Sequence, residues 1–313
     1  MCLAIYGIVA VLIQTGLLSS FYQITLINVC INIVLAVSLN LIIGFTGQFS
    51  LGHAGFMSIG AYATAIVLRM MPNMYGLLIG AIVGMILAGV ASLAVAIPTL
   101  RLRGDYLAIA TLGFSEIIRI IMVNGGSLTN GAAGLSGIPK LNDWTISFVA
   151  VVLAVTVVAN VIRSKAGRNC IAIRDDEIAA EDMGVNTTMY KTMAFAIGAM
   201  LAALAGAMYA SYFYVIKPST FNFNASINVL IIVVFGGIGS ITGSIIGSLV
   251  LGVLTTMLQD LAYLRMIVYA VVLIIIMIFR PQGLLGDREF SMRTFKRWMT
   301  RRKGTAADDK AEG

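Results

Sequence analysis

From residue 3 to residue 279 the sequence is a succession of apolar segments, and only one long charged run, Arg163 to Lys191, breaks it. The segments lie at about 3–18, 21–43, 54–71, 75–97, 106–123, 145–162, 192–215, 227–240, 242–259 and 265–279. A helix perpendicular to a bilayer needs about 20 residues to cross the hydrocarbon, within a range of about 17–25. A chain patterned this way is expected to be all-α: a polytopic integral membrane protein of about eight to ten transmembrane or re-entrant helices. The segments at 227–240 and 265–279 are short for a crossing and read as broken or re-entrant pieces, a reading that also extends to 106–123.

Composition excludes the soluble alternatives. Of 313 residues 59% are hydrophobic and 11% charged, where soluble domains carry about 25% charged residues, and the mean hydropathy is +0.95. The net charge of +7 does not mark a nucleic-acid binder. Its excess lies largely in the C-terminal tail, and basic residues flanking spans follow the positive-inside rule. Cys2, Cys30 and Cys170 have neither metal nor disulfide spacing. Cys2 follows the initiator Met without a cleavable signal, so a lipoprotein is not expected.

Lys and Arg set the expected orientation. The 163–191 run holds Arg163, Lys165, Arg168, Arg174 and Lys191, and the tail from Arg280 is strongly basic. The connections assigned to the opposite side carry only Arg69, Lys140, Lys217 and Arg265. Loop, N-terminus and C-terminus are therefore expected to be cytoplasmic. Residues 1–290 form the expected transmembrane domain, with 163–191 as its cytoplasmic loop. Residues 291–313 form a basic, partly disordered cytoplasmic tail at the membrane surface.

Small residues recur at every fourth position: Gly76, Gly80, Gly84 and Ala88; Gly198, Ala202, Gly206 and Ala210; Gly239, Gly243 and Gly247. These read as seams where helices approach closely. The run GFTGQFSLGHAGFMSIG, Gly44 to Gly60, differs, because polar residues sit among its glycines. Irregular backbone at membrane depth needs protein or a water-filled cavity to satisfy it, and broken helices often mark transport sites. A second Gly-rich break, 235–247, occupies the other half, and both follow a Leu-Ile-Ile triplet.

The translocation path is placed at the first break, on Gly47, Gln48, Ser50 and His53, and on Glu116 with Arg119. His53 is the only histidine, and two readings stand beside each other for it: a site in the path or a hydrogen bond across helices. Glu116 and Arg119, three apart, share a helical face; they are a structural ion pair, a gate, or a contact with a zwitterionic cargo. Gly125 to Gly134 reads as a flexible outer loop able to meet an extracytoplasmic partner.

No Gly-rich loop ends in Gly-Lys-Ser/Thr, no His/Cys/carboxylate cluster suggests a metal, and one histidine supports no Ser/His/Asp set. The spans also lack the carboxylates a proton-driven carrier needs. No cofactor and no catalytic residue is expected, so energy comes from outside the chain or the chain is a passive pore. The charged run offers a handle. Asp175, Asp176 and Glu177 suit a helix start, Ile178, Ala179, Ala180 and Met183 give a small apolar surface, and Gly184 suits a stop.

EIAAEDMG (177–184) is similar to the EAA-type cytoplasmic loop of ABC-importer permeases, with Ile178 standing where a Glu belongs and Glu177 one place early. SLNLIIGFTGQFSLGHAGFMSIGAYATA (38–65), LRLRGDYLAIATLGFSEIIRI (100–120), VFGGIGSITGSIIG (234–247) and FRPQGLLG (279–286) resemble the M-type branched-chain amino acid permeases of ABC importers. The resemblance implies Glu177, Ala179, Ala180 and Gly184 as the ATPase-docking helix. It also implies a second related permease forming a heterodimer, two cytoplasmic ATPase subunits using ATP and Mg, a periplasmic amino-acid-binding protein, and the bacterial inner membrane. Urea and short-chain amide importers have closely similar permeases. A self-sufficient channel or secondary carrier is the alternative from another class.

Overall fold

A computed structural model describes residues 20–99 and 104–257, together with Tyr6, Gly7, Val9, Ala10, Val271, Ile274 and Gly283. The tail at 291–313 lies outside the described residues, as does most of the expected segments at 3–18 and 265–279. The segments between them emerge as α1 (Ser20–Thr46), α2 (His53–Met70), α3 (Met74–Thr99), α4 (Asp105–Asn124), α5 (Trp144–Arg163), α8 (Thr187–Tyr212), α9 (Phe223–Gly236) and α10 (Ile241–Met257). The charged run forms two more helices, α6 (Lys165–Asp175) and α7 (Glu177–Asp182).

By length and apolarity, 5 of these helices qualify as membrane spans, or 6 with the bent pair α9–α10. This is a multi-pass membrane protein with fewer full crossings among the described residues than the eight to ten segments suggested. The physical reasons differ by element. The 18-residue α2 starts at polar His53 and lies inside the bundle, with Tyr62, Ala65 and Leu68 all buried. The pair α9–α10 turns through 117° at Gly237–Ser240, where Gly237 adopts φ 122°, so neither helix continues straight into the other.

The bundle is organised around α1. Its span window is 83% buried, against 17% for α5 and 33% for α3. The helix packs against α8, α5, α10, α9 and α6. The poorly buried helices α3 and α5 instead present Ile82, Ile86, Val90, Val149 and Leu153 outward, as suits lipid or a second membrane chain.

Close approach is made through glycine. A Cβ on Gly60 would strike the Ala203 carbonyl, and one on Gly206 would strike the Met57 carbonyl, so α2 and α8 touch backbone to backbone. Gly84 meets Gly60, Gly198 meets Ile42, and Gly243 meets Gly236. The expected seams are thus real, with two exceptions. Gly239 lies in the α9–α10 turn at φ 88°, and Gly76 packs on Met71 just before its own helix.

Residues 125–134 are mostly exposed or half-buried. Just after them Leu135–Ser136 pairs antiparallel with Val215–Ile216, and Leu135, Ile138 and Ile216 are buried.

Candidate functional site

The charged run is where local sequence most clearly makes structure. Ser164 caps α6 by accepting from Gly167 N at 3.2 Å. Asp176 caps α7 by accepting from Ile178 N and Ala179 N, both at 3.0 Å. Gly184, at φ 81°, ends α7, with Val185 N donating to the Ala180 carbonyl at 3.0 Å. That is the six-to-one closure of a Schellman stop.

The residues expected to dock a partner split into two groups. Ala180 is buried against the bundle. Glu177 is held by Lys191, whose Nζ lies 2.6 Å from its Oε1, with side chains only 13% and 29% exposed for Lys191 and Glu177. Ala179 and Gly184 are exposed. The apolar groups presented to solvent are Ile178, 63% exposed, and Met183, 84% exposed. A surface that α7 offers to a partner is therefore centred on those two.

Beneath α6 and α7 the first Gly-rich break begins. Arg174 Nη1 donates to the Gly44 carbonyl at 3.0 Å, satisfying an acceptor at the end of α1. Gly47 turns the chain at φ 70°, and its Cα faces the Arg174 side chain. Gln48 Nε2 then donates to the Lys191 carbonyl at 3.1 Å. Residues 47–52 have no helical structure, yet Gln48 and Ser50 are buried. Irregular backbone inside the bundle, supported by protein groups, is what the break predicted. Leu51 N donates to Thr111 Oγ1 on α4 at 3.1 Å, and Ala54 N donates to Ser226 Oγ on α9 at 3.1 Å.

His53 is fully buried, with Nε2 2.7 Å from Ser38 Oγ. Ser38 Oγ also lies 2.9 Å from the Leu35 carbonyl, which makes this hydroxyl the bridge from α1 to the His53 ring. Its Nδ1 has no hydrogen-bond partner. The contact ties α2 to α1 across the bundle, the second of the two readings open for this side chain. Glu116 and Arg119 stand apart from this cluster. They pair at 2.7 Å on α4 with side chains about one-third exposed, 33% and 31%, and so flank the bundle rather than line its interior.

The residue missed in the sequence is Asn40. On α1 and 1% exposed, it accepts from Gly239 N at 2.8 Å and donates to the Ser240 carbonyl and to Ser244 Oγ, both at 2.8 Å. One amide thus satisfies the turn of the second Gly-rich break. Gly44, one turn on, must lack a side chain, because a Cβ there would collide with Asn40 Oδ1 and Gly239 N. The only clue in the sequence was a polar residue within an apolar span. Arg174 and Lys191 were read as topological charges, and their inward contacts carried no local sign. Among the described residues no group of His, Cys, Asp and Glu is placed to hold a metal ion.

The chain is similar to known transport proteins over most of its length. The family described as "Branched-chain amino acid transport system / permease component" matches residues 21–279. The high-affinity branched-chain amino acid transport system permease protein LivM of Salmonella typhimurium is 35% identical, over 82% of this chain and 68% of that protein. LivM of Escherichia coli K12 is 34% identical over the same shares. The LivH permease of Escherichia coli K12 is 29% identical over 82% of this chain and 91% of its own. No solved structure matches. With the match spanning both Gly-rich breaks and the charged run between them, the chain belongs to the branched-chain amino acid transport permease family.

Proposed function

We propose that this chain is the M-type permease subunit of an ATP-binding-cassette importer carrying branched-chain amino acids. It pairs with a second, related permease, with two ATPases on the cytoplasmic side and with a periplasmic binding protein that delivers the cargo. The chain supplies a path and a lever, and ATP with Mg is used by the partner subunits. The distribution of Lys and Arg supports a cytoplasmic 163–191 loop and cytoplasmic termini, in a bacterial inner membrane. The permease domain then spans residues 1–290, and 291–313 is its cytoplasmic tail.

The observation that carries this reading is the double attachment of the charged loop to the end of α1, through Arg174 to Gly44 and through Lys191 to Gln48. ATPase closure pulls α7. The pull passes through the Glu177–Lys191 pair to α8, and through Arg174 and Gln48 to Gly44–Gln48. Asn40 relays it to the α9–α10 turn, and the two Gly-rich breaks shift together. Gly47, Gln48, Ser50 and His53 line the moving junction, and Glu116 with Arg119 faces the neighbouring permease.

The test is uptake by proteoliposomes holding the full complex. Leucine, isoleucine and valine should enter and compete, and urea and acetamide should not. Uptake by the purified chain alone, without ATPase, would overturn the reading in favour of a self-sufficient carrier.

A further inference from the structure

Two cavities adjoin at the end of the bundle remote from the charged run. The first, about 250 Å³, is lined by Lys140, Asp143, Trp144, Tyr212 and the first turns of α1. Its volume falls just under the ~300 Å³ at which drug-sized sites begin. Its polar groups are of opposite sign and do not close on each other. Lys140 Nζ sits 4.4 Å above the Tyr212 ring. Asp143 occupies the N-cap position of α5, yet its carboxylate makes no capping bond. Trp144 Nε1 is a buried donor with no partner. A cation, an anion and an idle donor around one cavity match a zwitterion.

The second cavity, about 450 Å³, runs down α5 past Phe148, Val149, Val152, Leu153 and Val157 and is almost wholly apolar. The two share Tyr6 and Thr145, whose hydroxyls meet at 3.1 Å on the seam. From Thr145 to Val157 the helix rises about 18 Å, close to the ~15 Å of one hydrocarbon leaflet. Tyr and Trp at the junction suit the membrane interface.

The geometry points to a built site for one aminophospholipid, in the leaflet opposite the charged loop. Lys140 and Trp144 Nε1 take the phosphate, Asp143 takes the primary ammonium of the headgroup, and one acyl chain fills the groove along α5. A free amino acid shares the headgroup chemistry but leaves the apolar groove empty, which is why the lipid is favoured. This inference does not depend on which solute the permease carries.

The test is native mass spectrometry of the full-length chain from vesicles of phosphatidylethanolamine and phosphatidylglycerol in equal amounts. A retained phosphatidylethanolamine is expected, preferred on the order of fivefold, the scale of one partly exposed ion pair. Asp143→Asn keeps the cap preference of α5 and should abolish the headgroup preference. Lys140→Gln should lower retention of both lipids, and Val149→Trp should block the groove for both. Equal retention by the wild type, or an undiminished preference in Asp143→Asn, overturns the assignment. Displacement of the lipid by excess leucine also overturns it, making the pocket an amino-acid site.

Discussion

Asn40 and Gly239 lie 199 residues apart and are joined by a 2.8 Å hydrogen bond from the Gly239 amide to Asn40 Oδ1, in the buried interior. Asn40 thus supplies the acceptor for the Gly239 amide in the turn between α9 and α10, and its donations to the Ser240 carbonyl and Ser244 Oγ tie the start of α10 to α1. A buried amide at membrane depth needs such a partner from protein.

Asn40→Leu should therefore cost about 1–3 kcal/mol, the scale of one buried donor, the Gly239 amide, left without its partner. A lower melting temperature in nanodiscs and reduced uptake are expected. Unchanged melting would mean that the turn is satisfied in another way.

The helices were legible because a membrane span is coded by a contiguous apolar run, and the seams because glycine spacing matches the helical repeat. The start and stop of α7 were legible at Asp176 and Gly184, which act on groups within three or four residues. Arg174 to Gly44, Gln48 to Lys191 and Asn40 to Gly239 join residues more than a hundred positions apart, and no local pattern encodes such pairings. The burial of most of α2 was hidden for a related reason. Its Gly, Ala and Ser residues suit a helix packed on all sides as well as one facing lipid.

The backbone contact of α2 with α8 makes Gly206 intolerant of size. In Gly206→Leu the Cβ alone would collide with the Met57 carbonyl and lie 2.8 Å from Ala61 N, so the helices must separate. The chain should lose most of its folded yield, read by size-exclusion profile. Gly113→Leu, where a Cβ meets nothing within 4 Å, should give normal yield for the isolated chain.

The Glu177–Lys191 pair predicts a charge-reversal cycle. Lys191→Glu places two carboxylates where only 13% and 29% of the native side chains are exposed, at a cost of about 1–3 kcal/mol. ATP hydrolysed per amino acid imported should rise. Adding Glu177→Lys should restore much of the ratio. A double variant no better than the single one would remove the pair from the coupling route.

Cys170 supplies the pH dependence. Burial pushes its thiol from 9.0 to about 11, beneath the Tyr190 carbonyl 3.9 Å away. The folded state holds this proton more tightly than the unfolded one, so the contribution is complete below pH 9 and is lost as pH climbs from 9 to about 11. At neutral pH the thiolate fraction is roughly 100-fold below that of an ordinary thiol. In a Cys2→Ser, Cys30→Ala background, maleimide should label Cys170 far more slowly than a free cysteine. Rapid labelling at pH 7.5 would show that α6 does not stay packed on α8.

The exposure pattern of α7 gives the sharpest test of docking. Ile178 and Met183 face outward while Ala180 faces the bundle, so the two positions should fail in different ways. Ile178→Glu and Met183→Glu place charge on the outer surface. They should weaken ATPase association on the order of tenfold each, the scale of one lost apolar contact, while the chain keeps its melting temperature. Ala180→Glu buries a carboxylate beside the Glu177–Lys191 pair and should lower the melting temperature before any partner is added. Co-purification of the ATPase beside a thermal melt separates the two. Undiminished co-purification with both Ile178→Glu and Met183→Glu would move the ATPase contact away from α7.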